Sequence, residues 1–497
     1  MEEKDISDLR KSKEENLRKL IELNSNPYAY GYEKNSYTRE LHERHGSIKI
    51  GTEIKKPAYR ISGRITSLRS FGKLVFGDLV DGKGKIQFCV KKGLLSKKEE
   101  ELFGFLDRGD IIGIEGTVFK TKKGELTLLG KKLTLLTKSI EPLPEKWHGL
   151  KDMELRYRQR YVDLIVNPGV REVFEKRNEI VQAIREYLKK EGYMEVETPV
   201  LQPIYGGTNA HPFESFLHEL KMKVYMRISN ELYLKRLIVG GYEKIFEFSR
   251  DFRNEGIDKT HNPEFLQMET MCAYADYKDN MGLCEEMIEF TAKKVLGKTK
   301  ISYQGKEIDL KKPWKKISFN EALKKYAGID AEGIDSIEKA RKEAGKAGIE
   351  LKEEGSIGSI LMKAFEEKVQ PQLIQPTMVY DYPSEIFNLA KVHRNNAGIA
   401  EAFEPIIAGI ELGLSYSEEN NPEILKEKWK KAEEFFKKGD IEAQRMDNDF
   451  IRALEYGMPP TSGLGIGIDR LAMILTDSVS IRDVILFPFM RPEKQVQ

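Results

Sequence analysis

Between about Ala58 and Leu136 the chain is built from short β-prone runs punctuated by glycine. Examples are Tyr59-Arg60-Ile61-Ser62-Gly63-Arg64-Ile65, Lys85-Ile86-Gln87-Phe88-Cys89-Val90, Ile111-Ile112-Gly113-Ile114-Glu115-Gly116 and Leu126-Thr127-Leu128-Leu129. Several short strands in so little chain predict a small barrel. A five-stranded OB fold is the natural choice, and such barrels bind single-stranded nucleic acid on an exposed face. The texture differs on either side. The first 45 or so residues read as helix, with Leu9, Leu17, Leu20 and Ile21 at near-helical spacing among many charges. Glu141-Pro142-Leu143-Pro144-Glu145 reads as a linker, because paired prolines stop regular structure. These readings divide the chain into a helical extension (1–45), a barrel (46–140), a linker (141–150) and a large C-terminal domain (151–497). The last carries a helical insertion over 318–370 and an amphipathic helix over 423–438.

Charge follows the same division. Residues 1–150 hold 30 Lys+Arg and 22 Asp+Glu, a net of +8, whereas residues 151–497 hold 52 and 58, a net of −6. A basic N-terminal part on a mildly acidic body fits nucleic-acid contact by that part, although a lysine-rich surface also serves solubility. No apolar run approaches the ~20 residues of a membrane span. The charged start Met1-Glu2-Glu3-Lys4-Asp5 lacks the apolar core of a signal peptide. Cys89, Cys272 and Cys284 form no Cys-x-x-Cys pair, which predicts neither a zinc site nor a disulfide framework and places the chain in a reduced, cytoplasmic setting.

Two stretches of the C-terminal domain carry chemistry. Phe252-Arg253-Asn254-Glu255-Gly256, followed by His261-Asn262-Pro263-Glu264-Phe265, gathers cations, carboxylates and a ring into fourteen residues. Arg253 offers a donor fork that matches phosphate oxygens, and Phe265 a face on which a purine can stack. Taken alone, the loop is equally compatible with a solvated hairpin bearing surface ion pairs. The second stretch is Gly463-Leu464-Gly465-Ile466-Gly467-Ile468-Asp469-Arg470. Alternating glycines fit a strand whose backbone a ligand approaches closely, or simply tight packing. Arg470 then sits in the first turn of a helix, where it opposes the helix dipole and needs another reason to be present; a phosphate is one. The stretch is neither a Walker loop nor a dinucleotide fingerprint.

In this order the two stretches resemble motifs 2 and 3 of class II aminoacyl-tRNA synthetases. Motif 1 is similar to Glu191-Gly192-Tyr193-Met194-Glu195-Val196-Glu197-Thr198-Pro199-Val200-Leu201. No His-Ile-Gly-His or Lys-Met-Ser-Lys-Ser signature of class I is present. Arg156-Tyr157-Arg158-Gln159-Arg160-Tyr161-Val162-Asp163-Leu164, Glu231-Leu232-Tyr233-Leu234-Lys235-Arg236-Leu237, Ala273-Tyr274-Ala275-Asp276-Tyr277 and Ile481-Arg482-Asp483-Val484-Ile485-Leu486-Phe487-Pro488 resemble the lysyl-tRNA synthetases of that class, and the likeness covers nearly the whole chain. Three motifs in the right order make a chance match very rare.

The resemblance implies an α+β protein, an OB-fold barrel joined to a catalytic domain with an antiparallel sheet flanked by helices. It implies a homodimer that joins lysine and ATP into an adenylate and transfers the lysyl group to tRNA. It places Arg253, Glu255, His261, Phe265 and Arg470 around ATP, with Arg253 and Arg470 catalytic, and Glu404 and Glu411 as carboxylates for Mg2+ bound with ATP. Glu231 falls to the α-amino group and Glu269 and Glu418 to the side-chain amine, with Gly467 also at the amino-acid site and the loop Gly206-Gly207-Thr208-Asn209-Ala210 closing over it. Phe76 and Gln87, with Arg69 beside them, fall to the anticodon.

The chain departs from the family pattern near the amine. Lysyl enzymes usually carry tyrosine where this chain has Met271 and asparagine where it has Leu414. Their Ser-Pro-Leu-Ala run is Phe387-Asn388-Leu389-Ala390, and an arginine before the first metal carboxylate is Ala402. Losing a hydroxyl and an amide removes hydrogen bonds worth ~1 kcal/mol each. The departures therefore leave open lysine itself, or a paralogue acting on a lysine-like amine. A relative that modifies a protein, or one that binds ATP or RNA without catalysis, are the other readings. The first generally lacks a barrel and the second a complete phosphate site.

Overall fold

The computed structural model describes residues 3–144, 150–351, 355–437 and 445–492, so the end of the expected linker from Glu145 to Gly149 lies outside the described residues. The chain divides into two compact units, Met1–Lys151 and Asp152–Gln497.

The first unit contains strands β1 (Glu53–Phe71), β2 (Leu74–Val80), β3 (Lys85–Lys91), β4 (Ile111–Lys120) and β5 (Leu126–Thr137). They close into a barrel in the order β1-β2-β3-β5-β4, parallel only between β3 and β5. Alternation sorts the side chains. Ile61, Ile65, Leu79, Ile86, Phe88, Ile112, Ile114 and Leu128 fill the interior with essentially no exposure. Closure leaves no unpaired strand edge.

The expected N-terminal helix is two helices, Glu3–Glu22 and Thr38–His45. The break has a local cause: Asn24 takes a left-handed conformation (φ 51°), and Pro27 follows three residues later. The apolar face is also narrower than the spacing suggests. Leu20 is fully buried in the barrel core, whereas Leu9 and Ile21 are exposed. Lys13 is buried instead, its amine donating to the carbonyls of Arg108 at 2.8 Å and Ser139 at 3.1 Å.

The second unit is organised by one mixed sheet. Its main strands are β6 (Met194–Glu195), β7 (Lys244–Phe252), β8 (Glu264–Ala273), β9 (Lys315–Ser318), β10 (Thr377–Pro383), β11 (Asn396–Ile407), β12 (Gly413–Ser417) and β13 (Thr461–Gly467). The order is β9-β10-β11-β12-β13-β8-β7-β6. The six inner strands are antiparallel, and the two edge strands are parallel to their neighbours.

The strand period of two gives the sheet different faces. Met268, Leu464 and Ile466 point into a core shared with the helices Pro168–Lys190, Tyr277–Leu296 and Ile468–Leu475. The intervening positions Phe265, Gln267 and Glu269, and Gly463, Gly465 and Gly467, line a cavity on the opposite face. The insertion expected near 318–370 contains the helices Phe319–Ala327, Ile337–Lys346 and Ile357–Ala364 around a core of Phe319, Leu323, Ile360, Leu361 and Phe365. Residues 352–354 of that insertion lie outside the described residues. The amphipathic helix expected at 423–438 is Pro422–Lys437. Among the described residues no helix is long and apolar enough to cross a membrane.

Candidate active site

The cavity encloses about 350 Å³. Its floor is β13, and the glycines are there for different reasons. A Cβ on Gly463 would lie 2.4 Å from Glu418 Oε1 and 2.9 Å from Met271 Cε. One on Gly465 would lie 2.9 Å from Gln267 Nε2. The bare backbone thus makes room for Glu418 and Gln267, which face the cavity, and for the buried Met271 behind it, as well as for a ligand.

Cationic groups cluster where β13 runs into its helix. Arg470 NH1 donates to the Glu411 carbonyl at 2.8 Å and lies 3.3 Å from the Glu411 carboxylate, while NH2 meets His261 Nε2 at 3.0 Å. The other ring nitrogen of His261 pairs with Asp258 Oδ2 at 2.8 Å, so the imidazole is held between a carboxylate and a guanidinium. Arg253 lies over the Phe265 ring, 5.1 Å from its centroid, and donates from Nε to the Ile228 carbonyl at 3.3 Å. Burial lowers its pKa, opposed by Asp251, Glu255 and Glu411.

The opposite end is acidic. Gly463 and Gly467 are four residue steps apart, so the two ends lie about 13 Å apart along the strand. Glu231, Glu269 and Glu418 are all buried. Burial pushes the Glu418 carboxyl up to about 8 against the pull of Lys235, and burial with repulsion from Glu231, Asp251 and Glu418 raises Glu269 well above the carboxylate range. Lys235 Nζ is 2.5 Å from Glu231 Oε1 and also pairs with Glu418. The Tyr416 hydroxyl donates to Glu231 Oε1 at 2.6 Å.

Glu404 and Glu411 both line the cavity, Glu411 beside Arg470. Glu404 is buried, its Oε2 accepts the Tyr382 hydroxyl at 2.7 Å, and burial with repulsion from Glu411 raises its pKa. The two carboxylates are hard oxygen donors of the kind Mg2+ takes, with water and phosphate completing its shell. Among the described residues no group of three or more His, Cys, Asp or Glu gathers into a metal cage.

The structure therefore brings Arg253, Glu255, His261, Phe265, Arg470, Glu231, Glu269, Glu418, Leu414, Glu404, Glu411 and Gly467 to one cavity. Two expected residues do not line it. Met271 is fully buried behind Gly463, and at the loop it is Gly207 and Thr208, not Gly206, that face the space. Gly207 has φ 96°, and a Cβ there would lie 2.8 Å from Ser229 Oγ. Gln267, Lys235, Tyr416, Ser229 and Asp469 were not anticipated. Alternation of Phe265, Gln267 and Glu269 on one strand face is the signal that marks Gln267. Asp469 accepts from the Leu266 backbone at 2.8 Å and pairs with Arg177 at 2.6 Å, tying the two motif-bearing segments together.

On the barrel, register places Phe76 opposite Arg69 and Cys89, and Gln87 opposite Asp78, so these residues share the outer face. Phe76 is half-buried and meets exposed Phe71 edge-on at 6.1 Å. Gln87 accepts from the Thr127 hydroxyl at 2.9 Å, and Arg69 lies 3.7 Å from Asp78. Phe76 is thus outside the barrel core. Phe76→Ala is expected to leave the melting temperature near that of the parent and to weaken tRNA charging by ~1–3 kcal/mol, the loss of one stacked base. Amino-acid activation without tRNA should not change. A barrel that melts early would instead make Phe76 a packing residue.

Residues 152–491 match the family of tRNA synthetases class II (D, K and N), and residues 59–136 match the OB-fold nucleic acid binding domain. The chain is 49% identical to a lysine–tRNA ligase of Pelotomaculum thermopropionicum over 99% of its own length and 96% of that protein. It is 48% identical to one of Carboxydothermus hydrogenoformans over 99% of its length and 100% of the relative, and 48% identical to one of Nostoc punctiforme over 98% and 89%. With both of its domains accounted for in order and at this identity, the chain belongs to the class II lysyl-tRNA synthetases.

Proposed function

We propose that the protein attaches lysine to its tRNA through a lysyl-adenylate, with ATP as the second substrate. The observation that carries this reading is a single cavity with guanidinium groups at one end and buried carboxylates at the other. Such a site is complementary to an amino acid with an ammonium at each end whose carboxylate is directed at a triphosphate.

In the first step a lysine carboxylate oxygen attacks the α-phosphorus of ATP. A P–O bond forms, the bond to the bridging oxygen breaks, and pyrophosphate leaves with the electron pair. Negative charge grows on the phosphoryl oxygens, so fixed donors aimed there lower the barrier. Arg253 is assigned to the α-phosphate and the attacking carboxylate, with Glu255 as a further ATP contact. His261 and Arg470 are assigned to the outer phosphates, and Phe265 and Arg470 to the two faces of adenine. Glu404 and Glu411 would hold Mg2+, which supplies charge neutralisation to the phosphates when bound. Glu231 is assigned to the α-ammonium beside the Gly206–Gly207 turn and Gly467 to the same ligand, and Glu269 and Glu418 supply the negative field for the side-chain amine. Leu414 forms an apolar wall, with Met271 behind it. In the second step a ribose hydroxyl oxygen of tRNA, whose anticodon is assigned to Phe76, Gln87 and Arg69 on the barrel face, attacks the lysyl carbonyl carbon: an ester C–O bond forms, the acyl–phosphate C–O bond breaks, and AMP leaves with the electron pair as the hydroxyl gives up its proton.

A homodimer and a reduced, cytoplasmic setting complete the reading. The paralogue and the non-catalytic relative are not favoured, given the match to lysine–tRNA ligases over the full chain. The deciding experiment is ATP–pyrophosphate exchange across the amino acids. Lysine should dominate; dominance of another amine-bearing amino acid would overturn the substrate, and no exchange with any amino acid would overturn the activity.

A further inference from the structure

Strand β10, which pairs with β11 in the catalytic sheet, changes face partway along. Val379 lies opposite Glu404 and Tyr380 opposite Phe403, but Tyr382 lies opposite Ala400, so the register slips between Tyr380 and Tyr382. Val379 packs into the insertion core, and Tyr380 against the core of the main helices. Regular alternation would return Tyr382 to the face of Tyr380. Instead Tyr382 joins Val379 in the insertion core, on the face that carries Glu404. The residue before it makes the change. Asp381 has φ 62°, a left-handed conformation unfavourable for most residues with a side chain. Its carboxylate accepts the Tyr277 hydroxyl at 2.9 Å, from the first residue of the helix Tyr277–Leu296, which holds the irregular backbone from the other face of the sheet.

Irregularities of this kind beside a site commonly re-aim a side chain. Here the re-aimed side chain is Tyr382, which has no exposure. Its ring packs among Phe319, Phe365 and Phe387, with centroids 4.7, 5.9 and 5.4 Å away. Those contacts need only the ring. The hydroxyl has a separate partner: it donates to Glu404 Oε2 at 2.7 Å, a carboxylate of the cavity. A ring clamped in this way cannot follow Glu404 if the carboxylate swings. Glu404 is therefore held with Oε2 occupied and its other oxygen left for a cation.

We infer that Tyr382 is a positioning residue for the Mg2+ that accompanies ATP. Aimed by the irregularity at Asp381, it fixes Glu404 so that the free oxygen is presented to the metal, and it makes the helical insertion the support of that carboxylate. Partners that hydrogen-bond a metal ligand orient it, and losing one typically costs about ten- to a hundredfold in metal affinity.

This inference rests on the assignment of Glu404 and Glu411 to Mg2+ in the proposed function, so the test separates the two. It is calorimetric binding of α,β-methylene ATP, which cannot release pyrophosphate, to the full chain without amino acid, in Mg2+ and in EDTA. Tyr382→Phe keeps the ring and removes the hydroxyl. Its Kd for the nucleotide in Mg2+ should rise about tenfold or more, while its Kd in EDTA and its melting temperature stay near those of the wild type. Glu404→Gln should also raise the Kd in Mg2+. If Glu404→Gln changes nothing, the metal assignment falls and this inference with it. If Glu404→Gln raises the Kd in Mg2+ and Tyr382→Phe does not, the assignment stands and the inference is overturned. Equal rises in Mg2+ and EDTA, or a Tyr382→Phe chain that does not fold, overturn it as well, because the hydroxyl would then be serving the core. A second pair of variants tests the aim. Asp381→Asn tolerates the left-handed conformation and should bind as the wild type does, whereas Asp381→Val does not tolerate it and should weaken Mg2+-dependent binding as Tyr382→Phe does. Equal affinities in these two would overturn the role of Asp381 in aiming the tyrosine.

Discussion

Arg253→Ala should abolish measurable adenylate formation in a protein that still folds. Its backbone N–H donates to the Pro263 carbonyl at 2.9 Å, so the loop closes without help from the side chain. The guanidinium itself makes one long bond to a carbonyl and rests on a ring, a modest structural role beside its place in the cavity. Removing a donor aimed at charge that develops at phosphorus typically lowers kcat by about 10²–10³, or ~3–4 kcal/mol. Arg253→Lys should recover only part of this, because a point charge replaces a planar fork. Exchange near the parental rate in a folded alanine variant would remove Arg253 from the reaction.

The second large effect is expected at a residue without a side chain. In Gly463→Ala the new methyl would meet Glu418 Oε1 at 2.4 Å and Met271 Cε at 2.9 Å. Met271 can turn away, since its thioether is flexible. Glu418 cannot, because Lys235 holds it. Overpacking of this kind costs about 1–3 kcal/mol of stability, and displacement of the carboxylate should raise the lysine KM by about tenfold or more. Gly467→Ala supplies the packing control: its nearest neighbour, the Leu412 carbonyl, lies at 3.4 Å, an ordinary contact. Thermal melting of both variants should separate them clearly; equal melting temperatures would mean that the crowding at Gly463 relaxes freely.

Local patterns and distant pairings were not equally legible in the chain. The barrel was visible because its strands are short, glycine-punctuated and alternating, all of which are properties of neighbouring residues. The N-terminal helix was read too long because apolar spacing says little about where a chain turns, and a single left-handed Asn24 ended it. At the site, the motif-bearing loops supplied the cations in advance. The Lys235–Glu418 pair was not legible: the two residues are far apart in sequence, and only the docking of the helix Glu231–Val239 beside the end of β12 joins them. Met271 shows the reverse error. The family's contact tyrosine at this position implied a ligand contact, but the adjacent bare glycine lets the Met271 side chain fold back into the core, where it has no exposure.

The strand order of the catalytic sheet also dictates when that sheet can exist. Strand β13, the cavity floor, lies between β8 and β12, although it is the last of the main strands to be made. A ribosome therefore makes all the other main strands before residues 461–467 can wedge between two segments synthesised earlier. The last barrel strand ends at Thr137, with Lys138 and Ser139 adding the final contacts, so the barrel can close while the rest is still being translated. During that interval the facing edges of β8 and β12 have no partner, and such edges invite pairing with other chains. For this protein, then, the vulnerable period in biosynthesis is set by a seven-residue strand made after all the other main strands, and truncations that remove it should yield an intact nucleic-acid-binding barrel fused to an aggregation-prone remainder.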